Sequence, residues 1–296
     1  GIYKLAYKCH RMKNRAIVCQ SLKADGKLPS RITFEDGKRL IDGPVKLIAD
    51  GSIQAYTAYL TIPYYQNHPT RPKPEGYCGN PGMPKEKLEQ ALDEIGKAGR
   101  AFAVHCNGDA ALDMVLDAFS KALHADKEAR NLIIHCQTAR EDQLDRMKEL
   151  GMLPSFFSAH VYVWGDSHVH TFLGAERGSR IDPVGSAVGR QMCFTLHNDA
   201  PVTEPSPLTL IWNTVCRTTQ KGAVIAPEQC ISVYEALKGV TCNAAFQYGI
   251  EGWLGTLTPG KRADFVVLDR NILTVPAEEL RNIEIAEVWV DGKRSL

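Results

Sequence analysis

The sequence has no unbroken apolar run of about 18 residues, the length that a membrane-spanning helix requires, so no membrane partner is expected. It also has no long block of one charge, because 35 basic residues face 34 acidic ones and leave a net charge of +1. A nucleic-acid partner is therefore not indicated. The nine cysteines form no Cys-x-x-Cys pair, and no apolar leader opens the chain. We expect reduced thiols and a cytoplasmic protein.

What is present is an alternation of short β-branched segments with amphipathic ones, which is typical of βα units around a parallel sheet. Strands are predicted at 44–49, 101–105, 131–135, within 153–163 and at 192–196, and helices at 84–98, 111–123 and 140–150. Residues 61–84 are rich in Pro, Tyr, Asn and Gly, which predicts a long ordered loop over the mouth of a barrel. The strand-like segments 263–269 and 285–292, flanked by turn residues, predict a small β appendage.

Four residues able to bind or bridge a metal ion follow or end the predicted strands: Lys46, His105, His135 and Asp199. In a (β/α)-barrel the functional groups project from the C-terminal ends of the strands, and each βα unit takes about 30 residues. His105 and His135 are 30 residues apart, and Asp199 follows His135 by 64 residues. We therefore interpret the four residues as the ends of strands 4, 5, 6 and 8 of a barrel.

These residue types suit metal-assisted hydrolysis. Neutral imidazoles and carboxylates hold a zinc-like ion, which lowers the pKa of bound water to about 7 and polarises a scissile carbonyl. Asp199 would take the proton of the attacking water and pass it to the leaving nitrogen. A lysine ligand such as Lys46 requires carboxylation to a carbamate, which burial beside metal ions favours.

Simpler readings stay open for each residue. A single histidine at a strand end is often only a hydrogen-bonding residue, and Lys46 is compatible with an ordinary ion pair to Asp50 or Asp199. Asp199 also suits a turn cap. His197 carries no argument beyond its position.

Six motifs in order then resemble the amidohydrolase superfamily, in its YtcJ-like branch that includes N-substituted formamide deformylases. They are the segments at 46–52, 105–111, 134–135, 155–166, 198–202 and 255–264, and the resemblance covers roughly residues 40–296. It implies that Lys46 is a bridging ligand, carboxylated in that role, and that His105 and His135 bind the more buried metal ion. It further implies that Asp199 binds the other ion and acts as general base, and that His160 lies near the substrate carbonyl.

One part of that pattern is missing. The family has a His-x-His pair at the end of strand 1, and no such pair precedes Lys46, before which there are only 45 residues. We expect strand 1 to be absent, through truncation or missing residues. His168-Val169-His170 has the same spelling but follows strand 7, so barrel order excludes it as the strand 1 pair.

The predicted fold is thus α/β, a (β/α)8 TIM-type barrel that is N-terminally incomplete over residues 1–252, with a C-terminal β-sandwich portion at 253–296. The predicted function is a metal-dependent hydrolase that cleaves a C–N bond of an amide or N-formyl substrate by metal-activated hydroxide. Its cofactor would be one or two divalent ions, zinc first. Whether the chain forms a homo-oligomer, and on which small amide-type substrate it acts, cannot be read from the sequence.

Two alternatives accompany this prediction. The first is a catalytically incomplete fragment, or a partner chain of such a barrel that lacks the His-x-His metal site. The second is a barrel enzyme for phosphorylated sugars, which needs a glycine-rich phosphate loop after strands 7 and 8. Gly185-Ser186-Ala187-Val188-Gly189 is the strongest candidate for that loop and matches it poorly.

Overall fold

The computed structural model describes residues 14–23, 25–32 and 39–296. Two short strands, β1 (Ala16–Val18) and β2 (Leu40–Asp42), pair in parallel near the start of the described chain. Just beyond β1, Ser21 forms a parallel bridge to Lys46. These N-terminal residues therefore lie against one edge of the main sheet.

The main sheet has five parallel strands that lie side by side in chain order. They are β3 (Val45–Ile48), β4 (Phe102–Cys106), β5 (Leu132–His135), β6 (Leu153–Phe156) and β7 (Thr195–Leu196). Every strand predicted from periodicity is thus present, and the parallel α/β architecture is confirmed. Closure into a complete barrel stays a prediction.

Three amphipathic helices connect the first four of these strands: α1 (Lys85–Lys97), α2 (Asp109–Lys121) and α3 (Glu141–Glu149). In α1 the buried residues are Leu88, Ala91, Leu92 and Ile95, a spacing of three and four that places them on one face. Gly99, whose φ is 58°, follows the helix and allows the chain to turn back into β4. The helices pack their apolar faces against Val45, Val104 and other strand residues to form the main core.

Shorter elements complete the chain after β6. The helices are α4 (Ala159–Ser167), α5 (Ala175–Ser179), α6 (Val184–Gly189), α7 (Pro207–Cys216), α8 (Val233–Val240) and α9 (Cys242–Gln247). A π-helical turn spans His168–Phe172, and 3₁₀ turns span Pro227–Gln229 and Ala277–Asn282. The segment Val184–Gly189, weighed above as a phosphate loop, is therefore a short helix.

The loop between β3 and α1 spans residues 49–84, includes the loop predicted at 61–84, and consists of turns, bends and irregular segments without a helix or strand. Asp50 fastens it, because its carboxylate accepts hydrogen bonds from the backbone N–H groups of Tyr59, Asn107 and Gly108. The loop also has its own apolar cluster, in which Ile53, Tyr56, Ala58, Leu60 and Tyr64 pack with Val161, Leu173, Ile181 and Ile225. The loop is thus held by hydrogen bonds to residues that follow β4 and by apolar contacts with residues that follow β6.

The C-terminal part is a three-stranded antiparallel sheet, which agrees with the predicted β appendage. Its strands are β8 (Phe265–Leu268), β9 (Ile285–Val290) and β10 (Lys293–Arg294). Arg15 joins this sheet to the N-terminal strands through its hydrogen bonds to Asp264. A β-sandwich and a domain boundary at residue 253 stay predictions.

The sequence analysis made two predictions for the whole chain, reduced cysteines and no membrane-spanning helix. Every cysteine in the described ranges is a free thiol, in keeping with the reading of reduced cysteines. Among the described helices, none combines the length and the apolar character that crossing a bilayer would require.

Candidate active site

His105 and His135, predicted as ligands from their spacing, lie in contact. His105 is on β4 and His135 is the last residue of the adjacent strand β5. The Nε2 atom of His135 lies 3.0 Å from the Nδ1 atom of His105. His135 has a φ of 73°, so the strand ends at this residue. The structure therefore brings together the two imidazoles that the sequence placed one βα unit apart.

The second nitrogen of His105 has two polar neighbours. His105 Nε2 lies 3.0 Å from the carbonyl oxygen of Gly51, which can only accept, and 3.0 Å from the side-chain nitrogen of Asn107, which can only donate. The Gly51 contact favours a proton on Nε2, which leaves Nδ1 bare toward His135, and the Asn107 contact favours the other tautomer. Burial lowers the pKa of His105 and outweighs the opposing effect of the Gly51 hydrogen bond. The neutral ring is thus the favoured form.

Lys46 lies inside strand β3 rather than at its end, which corrects the sequence-based placement. The strand continues to Ile48 because the backbone pairs with β4 on one side, while the Lys46 N–H bonds to Gln20 O on the other. Burial lowers the pKa of Lys46 against the opposing charges of Cys19 and Asp199. Its ammonium group also lowers the pKa of both His105 and His135, so it lies within electrostatic reach of the pair.

His160, proposed as a substrate contact, lies in the first turn of α4 and is 4% exposed. Its ring centroid is 5.9 Å from that of His135. Its Nδ1 atom lies 3.3 Å from Oδ1 of Asp182, a fully buried carboxyl group. Burial lowers the pKa of His160 to about 3 and raises the pKa of Asp182 well above its usual range, against the charge of Arg217. Burial thus favours the neutral form of both partners.

Asp199 follows β7 and is exposed, with a φ of 51°. Its carbonyl oxygen accepts the N–H of Val202, so the residue does form a turn, as the simpler reading held. Its carboxylate nevertheless raises the pKa of Lys46, His105 and His160. Asp199 therefore belongs to the same electrostatic neighbourhood as the three basic residues.

His197 belongs to the site although the sequence analysis gave it no role. Its Nε2 atom lies 3.3 Å from Nδ1 of His135, and its Nδ1 atom lies 3.0 Å from Oγ of Ser155. Its ring stacks on Phe157 with the centroids 5.5 Å apart. Burial lowers the pKa of His197 to about 3. The sequence could have indicated this role, because His197 directly follows β7 and precedes Asp199 by two residues, and alternate residues of an extended chain share a face.

The sequence His168-Val169-His170, which follows the observed strand β6, does not form a paired site. His168 is fully buried, and its Nε2 accepts a hydrogen bond of 2.9 Å from the Gln137 amide. His170 is exposed, and its carbonyl oxygen accepts from Gln66. The two imidazoles therefore occupy different environments.

The donor set can be compared with the needs of a metal ion. Within residues 14–23, 25–32 and 39–296, no group of three or more His, Cys, Asp or Glu side chains is arranged to hold an ion. The nitrogens of His105 and His135 that face each other are compatible with a shared cation, because two ligands of one ion lie about 3 Å apart at bond lengths of 2.0–2.1 Å. Lys46 would have to complete such a set as a carbamate. The residues present fit one ion that is held by two imidazoles and a modified lysine.

A sequence profile described as the amidohydrolase family matches residues 10–295. The chain belongs to this family. An N-substituted formamide deformylase of Arthrobacter pascens is 29% identical over 211 residues, which are 70% of this chain and 39% of that protein. A putative amidohydrolase, YtcJ, of Bacillus subtilis (strain 168) is 27% identical over 258 residues, which are 85% of this chain and 46% of that protein. The chain therefore spans less than half the length of either relative.

Among solved structures, an uncharacterized metal-dependent hydrolase from Pyrococcus furiosus is similar to this chain. The TM-score is 0.73 at 28% sequence identity, and the match covers 92% of this chain and 54% of the other. The resemblance inferred from the six motifs is thereby confirmed at the level of the family.

Proposed function

We propose that this amidohydrolase is part of a metal-dependent hydrolase that cleaves the C–N bond of an amide or N-formyl substrate. The observation that carries the proposal is the 3.0 Å contact between His105 Nδ1 and His135 Nε2, beside the half-buried Lys46. The name of the Arthrobacter relative supports an N-substituted formamide as the substrate class. Similarity to a metal-dependent hydrolase from Pyrococcus furiosus supports dependence on a metal ion.

The residues divide the work as follows. A bound divalent cation, zinc in the first instance, lowers the pKa of water and polarises a carbonyl group. His105 and His135 would hold it through the nitrogens that face each other, and Lys46 would complete the set after carboxylation. Asp199 takes a proton from the attacking water and returns it to the leaving nitrogen. His160 donates a hydrogen bond to the substrate carbonyl oxygen from its Nε2.

The proposed carboxylation of Lys46 has a physical basis in its surroundings. Only the neutral amine reacts with carbon dioxide, and burial lowers the pKa of Lys46 toward that form. The resulting carbamate is an anion beside two neutral imidazoles, an arrangement that a cation stabilises.

We also propose that the five-stranded sheet is part of a TIM-type barrel and that the protein is cytoplasmic.

Metal binding and formate release test the proposal. The purified 296-residue chain would be titrated with zinc, and then incubated with N-benzylformamide while formate is measured. We expect binding and formate release in the wild type and a loss of both in His135→Gln. His170→Gln is the matched control, because His170 is an exposed histidine outside the site. A zinc-loaded chain that releases no formate from this amide or from a panel of N-acyl amides contradicts the hydrolase.

A second candidate is favoured by a specific observation, the shortage of acidic ligands. No group of three His, Cys, Asp or Glu side chains that could hold an ion occurs in the part of the chain that the structure describes, and Asp199 is exposed. The chain would then be a catalytically incomplete part or partner of a barrel that binds an ion without turnover. Zinc binding that depends on His135, with no hydrolysis of any amide in the panel, would support this candidate.

A further inference from the structure

We propose that His197, Ser155, Thr195 and Gln247 form a positioning relay that fixes the proton of His135 on Nδ1 and thereby presents a bare Nε2 to the metal site. The inference rests on the proposed function, because it assigns a purpose to the bare nitrogen. It concerns residues for which the family resemblance implied no role.

The relay is a continuous chain of contacts. His135 Nδ1 lies 3.3 Å from His197 Nε2, and His197 Nδ1 lies 3.0 Å from Ser155 Oγ. Ser155 Oγ lies 2.8 Å from Thr195 Oγ1, which lies 2.7 Å from the Gln247 side-chain oxygen. Ser155, Thr195 and Gln247 are all buried, so no bulk water competes for these bonds.

The direction of the relay follows from its far end. The Gln247 oxygen carries no proton, so the single hydroxyl proton of Thr195 must point to it. That one proton cannot also serve the 2.8 Å contact from Thr195 Oγ1 to Ser155 Oγ, so in this contact Ser155 donates to Thr195, and Ser155 Oγ accepts from Nδ1–H of His197. With its proton on Nδ1, neutral His197 offers a bare Nε2, which accepts from Nδ1–H of His135.

The relay has a consequence for the two facing imidazoles. It holds the proton of His135 on Nδ1, while His105 Nε2 contacts both Gly51 O, which accepts, and the Asn107 amide nitrogen, which donates. When His105 donates to Gly51, two lone pairs, on His105 Nδ1 and His135 Nε2, face each other at 3.0 Å. Facing lone pairs repel unless a cation lies between them. If every hydrogen bond of the relay ran the other way, His135 would carry its proton on Nε2 and this repulsion would disappear. Thr195 would then donate to Ser155, and no proton would lie between Thr195 Oγ1 and the Gln247 oxygen.

Metal affinity and imidazole tautomers test the relay independently of turnover. In the metal-free wild type, proton–nitrogen correlation spectra of the histidine side chains should show His135 protonated on Nδ1. His197→Phe keeps a ring against Phe157 but removes both hydrogen bonds. We expect it to lose this tautomer preference and to bind zinc about 10- to 100-fold more weakly, the range found for partners that orient metal ligands.

Two substitutions of Thr195 distinguish loss of the relay from a general loss of structure. Thr195→Val keeps the shape but breaks the relay, and should weaken zinc binding in the same direction with a smaller change. Thr195→Ser keeps the hydroxyl group and should bind zinc like the wild type. His170→Phe repeats the larger replacement at an exposed position and should also leave affinity unchanged.

The outcomes separate the relay from the hydrolase. A wild-type His135 protonated on Nε2 overturns the relay, as does unchanged zinc affinity in folded His197→Phe and Thr195→Val. A chain that binds zinc through the relay but hydrolyses no amide leaves the relay standing and removes the proposed function. If the wild type binds no zinc, the tautomer of His135 still decides the relay.

Discussion

His160 Nδ1 and Asp182 Oδ1 lie 3.3 Å apart in a region where neither side chain is more than 5% exposed. Asp182 has a φ of 51°, an uncommon conformation for a residue with a side chain. Its Oδ2 atom has no hydrogen-bond partner among the described residues. Burial of a carboxyl group is unfavourable unless it is paired, so the pairing with His160 is the main interaction that this side chain makes.

Asp182→Asn should change how stability depends on pH. Burial raises the folded pKa of Asp182 well above the unfolded value of about 3.9. The folded state then binds more protons, so the contribution of Asp182 to stability is full below the unfolded pKa and is lost as pH rises through the folded pKa. The free energy of unfolding of the wild type, minus that of the variant, should fall between pH 5 and pH 8.

The measurement is urea unfolding at both pH values. Asp166→Asn is the control, because Asp166 lies on the same helix as His160 but its carboxylate accepts from Thr219 and Lys221 near the surface. Its difference from the wild type should be the same at pH 5 and pH 8. If the free energy of unfolding changes by the same amount between pH 5 and pH 8 in the wild type and in Asp182→Asn, the assignment of a protonated carboxyl group is contradicted.

Arg217→Lys should destabilise the protein by about 3 kcal/mol or more. Arg217 is 1% exposed and donates to four backbone carbonyl oxygens, those of Ser179, Ile181, Asp182 and Ile225. A lysine ammonium cannot reach all four, and each buried acceptor left unpaired costs about 1–3 kcal/mol. Chemical denaturation measures the loss. Arg180→Lys, at a half-exposed arginine paired with Glu141, should change stability by less than about 0.5 kcal/mol, and a similar small effect at Arg217 would refute the account.

Gly108→Ala should loosen the loop over residues 49–84. A Cβ atom at Gly108 would lie 1.9 Å from the carbonyl oxygen of Tyr59, so the loop must move. Such overpacking costs about 1–3 kcal/mol. Thermal unfolding and limited proteolysis within the loop report the two effects. Gly189→Ala is the matched control, since Gly189 also lies at a helix end with nothing within 4 Å of an added Cβ, and it should cause no loss.

Asp264→Asn should weaken the attachment of the C-terminal sheet. Burial alone would raise the pKa of Asp264, but the hydrogen bonds from Arg15 and from the Asp291 N–H, together with the charge of Arg15, lower it overall. The stabilising effect is therefore present above the unfolded pKa of about 3.9 and is lost as pH falls through the folded pKa. We expect a loss of about 1–2 kcal/mol at pH 7 that shrinks toward zero near pH 2.

Urea unfolding at these two pH values checks the prediction for Asp264. Asp25→Asn removes an exposed pair with Lys27 and should change stability by less than about 0.5 kcal/mol at either pH. An effect of Asp264→Asn that is the same at pH 7 and pH 2 would show that the Arg15 ion pair is not its cause.

The central strands could be predicted because their signals are local. Apolar β-branched runs bounded by helical periodicity located β3, β4 and β5 within about one residue and placed β6 only within residues 153–163. The 30-residue interval related His105 to His135. The predicted strand 44–49 already contained Lys46, although the spacing argument treated this residue as a strand end. Its pairing with Gln20 and with β4 places it inside the strand. The role of His197 was missed because its partners Ser155 and His135 are 42 and 62 residues away.

By itself, the sequence determined the alternation of strands and helices, the family, and the identity of the residues able to carry the chemistry. These follow from periodicity, turn residues and motif order, which are encoded over short distances. The tertiary structure alone decided which nitrogens face each other, that Asp182 contacts His160, and how protons are distributed along the relay. Hydrogen-bond direction depends on the acceptors at both ends of a chain of contacts, and only folding brings those ends together.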